Sequence, residues 1–199
     1  ILLMPASRPQ ELRYILPTFM KAAKKLQQKY PSLVVYIPSC RDAFDEIFKK
    51  AFRKYQVKGL VISQKDSAKL KPYIYSLTKI ALCKSGTVNM ELALYGIPQI
   101  VGYRVSRVTA FIAKKILNFK VKFISPVNLL VNKLIIPEFV QKEFDEKKIF
   151  YKSCRLLDGK SEKMKIKKGY AFLKKELGEE GVVQSCLLYT SDAADEADG

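Results

Sequence analysis

The chain has no histidine among its 199 residues. Imidazole is the side chain that most readily exchanges a proton near neutral pH, so its absence excludes, within this chain, a Ser-His or Cys-His nucleophile pair and any histidine metal site. Glycine is also scarce, and neither GxxxxGK[ST] nor GxGxxG occurs. A P-loop and the common dinucleotide fingerprint are therefore excluded as well.

The cysteines are few and show no pattern that binds metal or forms a disulfide framework. They lie at positions 40, 83, 154 and 186, without a CxxC pair, and scattered thiols of this kind favour a reducing compartment. No apolar run approaches the roughly 18 to 20 residues of a membrane span. A secretory signal pattern is also missing at the start of the sequence given.

Basic residues are in large excess, with 36 Lys and Arg against 19 Asp and Glu, a formal charge of +17. Residues 186–199 are the exception, because they contain four acidic side chains and no basic one. Their start, CLLYTSDAADE, is similar to one translated frame of a sequencing-library adapter. We expect the folded domain to be residues 1–185 and residues 186–199 to lie outside it; a genuine acidic tail is the alternative. The sequence opens with ILLMPAS, which has no Met at its first position, and this suggests a fragment.

Short apolar runs alternate along the chain with longer stretches of helical period, which predicts an α/β fold with a Rossmann-like parallel sheet and flanking helices. The expected strands are residues 1–6, 33–38, 59–63, 80–83 and 99–103. Each has about the length of a buried strand.

The helices are predicted from apolar residues that recur at steps of three and four. Two helices have a clear apolar face, the first formed by Leu12, Ile15, Leu16, Phe19, Ala22, Ala23 and Leu26, the second by Phe44, Ile47, Phe48, Ala51, Phe52 and Tyr55. Further helices are expected at residues 67–77, 88–95, 106–117, 145–157 and 161–177, with FISPVNLL as an irregular stretch.

Two loops are candidates for a ligand site, because ligands of open parallel sheets bind at the carboxyl ends of the strands. PASR follows the first strand and KSGT follows the fourth. Gly86 would let a ligand approach the backbone, beside the hydroxyls of Ser85 and Thr87. The alternatives are that Ser85 or Thr87 caps a helix, and that Arg8 is a solvated residue at a helix start.

Glu91 stands out because it lies one turn into an otherwise apolar helix, VNMELAL. A carboxylate can accept hydrogen bonds from both hydroxyls of a sugar diol. It can also interact favourably with the positive end of a helix dipole. The spacing alone leaves both interpretations open.

Several blocks together resemble the lipid-A-disaccharide synthases, in particular cyanobacterial and plastid-type members. They are ILLMPASRPQELRYILPTF, CKSGTVNMELALYGIPQIVGYR, FISPVNLL and IIPEFVQ, in the order of the family, over about residues 1–144. The SGT-x-x-x-E block is shared by many glycosyltransferases, whereas PASRPQE and SPVNLL are more specific. Many bacterial members have Gly where this chain has Ala6.

The resemblance implies the carboxy-terminal, nucleotide-sugar-binding half of a GT-B glycosyltransferase. It implies an inverting hexosyltransferase that moves diacylglucosamine from UDP to diacylglucosamine 1-phosphate, without a metal or other cofactor, with its catalytic base on an amino-terminal domain. Matched position by position, Ser7, Arg8, Ser85, Gly86 and Thr87 would hold the UDP phosphates, and Glu91 the ribose. The matched positions Tyr103, Arg104, Asn128, Glu138 and Gln141 would line the donor side of the cleft.

The resemblance also implies acylated substrates, and hence a location on the cytoplasmic face of the inner membrane or in a plastid. The basic amphipathic residues 108–123 are a candidate for contact with an anionic membrane; packing on the sheet is the alternative. Two other functions remain open: another GT-B transferase that uses a UDP-sugar, and a basic nucleic-acid-binding module. The lysines lie on most helices rather than in one stripe, so we expect no nucleic-acid partner.

Overall fold

The fold is a six-stranded, all-parallel sheet flanked by helices, as seen in a computed structural model that describes residues 1–106 and 122–178. The strands are β1 (Leu2–Met4), β2 (Val35–Pro38), β3 (Gly59–Ile62), β4 (Ala81–Lys84), β5 (Gln99–Tyr103) and β6 (Glu138–Val140). Their order in the sheet is β3-β2-β1-β4-β5-β6. The predicted α/β class with a Rossmann-like sheet is confirmed.

The α-helices of the described residues follow the strands in alternation. They are α1 (Pro9–Lys29), α2 (Asp45–Tyr55), α3 (Gln64–Leu77), α4 (Val88–Leu94), α5 (Pro126–Leu130), α6 (Glu146–Asp158) and α7 (Lys160–Glu176). Short 3₁₀ turns lie at Asp42–Phe44 and Gln141–Glu143. Gly96, just after α4, has a φ of 71°, the left-handed conformation that glycine adopts without strain at a helix end.

The core lies between the sheet and the apolar faces of its helices. Every residue of the predicted apolar face of α1 is buried, and α1 packs against α6 on one side of the sheet. Phe19 of α1 meets Phe144 edge to face at 5.0 Å between ring centroids. At about 25 cal/mol per Å² of apolar area, such faces supply most of the driving force that holds the helices on the sheet.

Four details differ from the sequence-based expectation. The strand β6 was not predicted, and FISPVNLL is not irregular throughout, because Ser125 caps the short helix α5 by accepting a hydrogen bond from the Asn128 N–H. The helix α3 begins at Gln64 rather than at residue 67. Ile47 is 42% exposed instead of belonging to the buried face of α2.

Three predictions fall mainly or wholly on residues outside the described ranges. They are the helix at residues 106–117, the basic segment 108–123 and the non-native tail at residues 186–199. Within residues 1–106 and 122–178, no helix combines the length and the apolar character needed to cross a bilayer.

Candidate functional site

The two candidate loops lie side by side at the carboxyl edge of the sheet. The chain proceeds from β1 outward through β2 and β3, then returns to place β4 on the other side of β1. Met4 and Cys83 are paired in the β1–β4 ladder, so the residues that follow them leave the sheet as neighbours. The edge between β1 and β4 is the topological switch point, where open α/β sheets have their ligand crevice.

The loop after β1 carries a positive charge at the start of α1. Ser7 and Arg8 are exposed, and Arg8 is the residue that precedes the first turn of α1, with Pro9 at the first helical position. Within the described part of the chain the Arg8 guanidinium makes no ion pair. Pro9 has no N–H, and the N–H groups of Glu11 and Leu12 donate to the Arg8 carbonyl, so this helix start attracts an anion mainly through Arg8 and the positive end of the helix dipole.

The loop after β4 is fixed by hydrogen bonds to neighbouring residues and leaves open space beside Gly86. The Ser85 hydroxyl donates to the Ile124 carbonyl at 2.5 Å, and the Gly86 N–H donates to Asn89 Oδ1 at 2.9 Å. A Cβ added to Gly86 would have no heavy atom within 4 Å. Thr87 precedes α4 without a side-chain capping bond. Capping by Ser85 or Thr87, the alternative explanation of KSGT, is therefore wrong. The Asn89 side chain instead accepts the hydrogen bond from the Gly86 N–H of this loop.

A buried polar network under this loop fixes its shape. Asn89 and Gln99 share two hydrogen bonds: Asn89 Nδ2 donates to Gln99 Oε1 at 3.1 Å, and Gln99 Nε2 donates to the backbone carbonyl of Asn89 at 2.9 Å. Gln99 Nε2 also donates to the Tyr170 hydroxyl of α7. Burial raises the pKa of the neighbouring Cys83 thiol to about 12, so this cysteine stays protonated and unreactive near neutral pH.

Glu91 projects from the first turn of α4 and is partly accessible, with 20% of its side chain exposed. Its Oε1 accepts from Lys71 Nζ of α3 at 2.9 Å. Burial, together with the nearby Glu91 carboxylate, raises the pKa of Tyr75. The Glu91 carboxylate is thus oriented by Lys71 of α3, in addition to its favourable place near the start of α4.

An ion pair connects the two loops. Lys84 Nζ, at the end of β4, lies 2.8 Å from Glu11 Oε1 in the first turn of α1. The pairing was not predicted from the sequence, although Lys84 belongs to the candidate loop KSGT, because a contact between residues so far apart in the chain has no local periodicity. The Asn89–Gln99 pair was missed too, although two polar residues in otherwise apolar segments are a readable signal of a buried network.

The side chains of Asn128 and Glu138 are hydrogen-bonded to each other, and Glu138 also binds the segment before α5. The Glu138 carboxylate accepts hydrogen bonds from the N–H of Ile124, the N–H and hydroxyl of Ser125, and Asn128 Nδ2, at 2.6 to 2.9 Å. Asn128 is fully buried and also bonds the backbone of Ile136. Since Ile124 accepts from Ser85, this cluster supports the loop after β4 from the side.

Tyr103, Arg104 and Gln141 lie at the ends of β5 and β6, the next strands along the same edge. The Arg104 guanidinium donates to the carbonyls of Gln141 and Phe144 and lies 5.2 Å from the Phe144 ring centroid. The structure therefore brings Arg104 and Gln141 together through the backbone. A contact of these three residues with a ligand stays a prediction.

An all-parallel sheet with two polar loops at its switch point defines the class of Rossmann-like α/β domains. The chain belongs to the lipid-A-disaccharide synthetase family, whose profile matches residues 1–187. It is 44% identical over 182 residues to the lipid-A-disaccharide synthase of Prochlorococcus marinus, covering 92% of this chain and 46% of the relative. The enzymes so named from Gloeothece citriformis and Synechocystis sp. are 37% and 34% identical, each over 92% of this chain and 46% of the relative.

The predicted resemblance to this family, and to its cyanobacterial members in particular, is confirmed by these relatives. The chain spans about half the length of the curated relatives it matches.

Proposed function

We propose that the described domain binds the UDP part of a nucleotide-sugar at the switch point between β1 and β4. The observation that carries this proposal is the adjacency of the two loops, fixed by the pairing of Met4 with Cys83. A diphosphate is the ligand that suits them, because they combine an uncompensated guanidinium, N–H donors and hydroxyls.

In this proposal the phosphates lie between Ser7 and Arg8 on one side and Ser85, Gly86 and Thr87 on the other. Arg8 and the positive end of the α1 dipole stabilise the negative charge that develops on the diphosphate as it leaves the sugar. The open space beside Gly86 allows the ligand to contact the backbone directly. This interaction is electrostatic catalysis by groups that are in place before the reaction begins.

Glu91 is proposed to accept hydrogen bonds from the ribose hydroxyls. Its side chain is partly exposed and one of its oxygens already has a donor in Lys71. Lys71 orients the carboxylate, while the second oxygen and the remaining lone pairs can accept from a diol.

For the whole protein we infer transfer of diacylglucosamine from UDP-2,3-diacylglucosamine to 2,3-diacylglucosamine 1-phosphate, which gives the β-linked lipid A disaccharide 1-phosphate and UDP. The name shared by the relatives supports this activity. The acceptor site and the catalytic base would lie in the part of the relatives that this chain does not match. The chain alone would bind donor weakly and not turn it over.

Acylated substrates require contact with a lipid surface, so we propose a peripheral location on the cytoplasmic face of the inner membrane, or its plastid equivalent. Two features support it: the positive charge of the chain and three exposed leucines, Leu129, Leu130 and Leu134, before β6. The basic segment 108–123 is the other candidate for this contact. A different GT-B transferase specific for another UDP-sugar would share the UDP site and differ in the acceptor.

Titration calorimetry with UDP tests the proposal on the wild-type chain and two isosteric variants. Glu91→Gln removes the charge proposed to bind ribose, and we expect UDP affinity to fall about tenfold, or about 1.4 kcal/mol. Glu46→Gln is the control, because Glu46 is also paired with a lysine, Lys49, but lies on α2. Equal UDP affinity in Glu91→Gln and wild type, or no UDP binding by the wild type, would contradict the proposed function.

A further inference from the structure

The ion pair between Glu11 and Lys84 spans the crevice proposed for the diphosphate. Glu11 belongs to the helix that follows β1, and Lys84 is the last residue of β4. Both side chains are mostly buried, 15% and 22% exposed. Within the described residues, the two loop regions are linked by the strand ladder between β1 and β4 and, among side-chain contacts, by this ion pair.

A gain in stability is a weak explanation for this pair. Removing two charges from water costs free energy that their attraction often fails to offset. In addition, Glu11 Oε2 is buried and has no hydrogen-bond partner among the described residues, which is costly for a carboxylate oxygen. The pair lies where the two candidate ligand loops meet. A role in positioning these loops is therefore a better explanation for it than stability.

The other contacts of the loop after β4 run away from β1. Ser85 is bound to Ile124, and Gly86 to Asn89 of α4. These bonds fix the internal shape of that loop but not its distance from the start of α1. The β1–β4 ladder fixes where the two segments leave the sheet, and the 2.8 Å contact between Lys84 Nζ and Glu11 Oε1 is the further tie between the end of β4 and the first turn of α1.

We propose that Glu11 and Lys84 are positioning residues that hold the two loops at the separation a diphosphate requires. This inference rests on the proposed function and adds to it the device that aligns the two halves of the phosphate site. Neither side chain touches the ligand in this account. A loss of the pair would leave each loop intact but misaligned, so binding of phosphates would suffer and binding of the nucleoside would not.

A double-mutant cycle tests this proposal on the 199-residue chain, with Glu11→Gln, Lys84→Gln and the double variant titrated with UDP and with uridine. We expect each single variant to bind UDP about five- to tenfold more weakly, and the double variant to be no weaker than either. Uridine affinity should not change, a split that a general loss of structure would not produce. Lys84→Arg keeps the pair and should retain UDP affinity.

Several results would overturn the proposal. UDP affinity equal to wild type in the single variants, or losses that add in the double variant, would show that the pair does not act as a unit. Tighter UDP binding by Glu11→Gln with weaker binding by Lys84→Gln would instead identify Lys84 as a direct phosphate ligand. Failure of the proposed function is distinct, because then the wild-type chain does not bind UDP or Glu91→Gln has no effect.

Discussion

Gly86 and Gly102 have opposite surroundings in the structure. A Cβ at Gly102 would overlap the Phe144 ring and lie 2.8 Å from Phe19 Cζ, so this glycine allows β5 to pack against two aromatic residues. A Cβ at Gly86 would meet nothing within 4 Å. The space beside Gly86 is the space proposed for the ligand.

Gly86→Ala should therefore separate binding from folding. We expect the free energy of unfolding to stay within about 1 kcal/mol of wild type, since alanine restricts the unfolded chain and meets no obstacle in the folded one. UDP affinity should fall severalfold, because the methyl group occupies the proposed phosphate position. Chemical denaturation and titration calorimetry measure the two quantities. Unchanged UDP affinity would place the phosphates elsewhere.

Gly102→Ala is the matched substitution with the opposite expected effect. The added methyl group has no room in a core already filled by Phe144 and Phe19, and overpacking of this kind costs about 1–3 kcal/mol. Denaturation of this variant should show a clear loss of stability. A variant as stable as wild type would mean that this part of the core is looser than the contacts indicate.

Among the elements, α7 is tied to the strand that supports the site. The Tyr170 hydroxyl accepts from Gln99 Nε2 at 3.1 Å and donates to the Ile97 carbonyl at 2.9 Å. Tyr170 and Gln99 are both buried. A chain of hydrogen bonds through Gln99 and Asn89 therefore connects α7 to the Gly86 N–H of the loop after β4.

Tyr170→Phe should lower the free energy of unfolding by about 1–3 kcal/mol, because both partners of the hydroxyl would be left buried without it. Chemical denaturation gives the value. Tyr151→Phe is the control, since Tyr151 of α6 is largely exposed and its change should lie within about 0.5 kcal/mol of wild type. Equal stability of the two variants would show that the buried network contributes nothing.

Elements with a strong local pattern were predictable from the sequence. The strands β1 to β5 are apolar runs, and α1 has a regular apolar face, so hydrophobic periodicity was sufficient. β6 has only three residues and begins with a glutamate. It is a strand because it pairs with β5, a tertiary contact that no local pattern records. The Ser-Pro start of α5 was a readable capping signal.

The candidate site was predictable in part for the same reason. Loops that follow strands can be located from the strands, so Arg8, Gly86 and Glu91 could be proposed. Their partners could not: Lys71 reaches Glu91 from another helix, and Lys84 reaches Glu11 across the sheet edge. Contacts of that kind depend on the packed structure.

At the level of the whole molecule, the charge of +17 raises the question of nucleic acid. Within the described residues the basic side chains are spread over the helices α1, α2, α3, α6 and α7, which favours a generally solvated surface. At about 0.15 M salt, where the Debye length is about 8 Å, we expect an excess of RNA oligonucleotide not to displace UDP in a competition titration. Displacement would favour the nucleic-acid-binding alternative.

The central claim is that the loops after β1 and β4 form one site for UDP. Titration of the isotope-labelled 199-residue chain with UDP, followed by the chemical shifts of its backbone amides, tests the claim most directly. We predict shifts in both loops, at Arg8 and at Gly86 and Thr87, and at Glu91 in α4, with α2 and α6 unaffected. Shifts confined to one loop, or centred on any other surface of the domain, would contradict it.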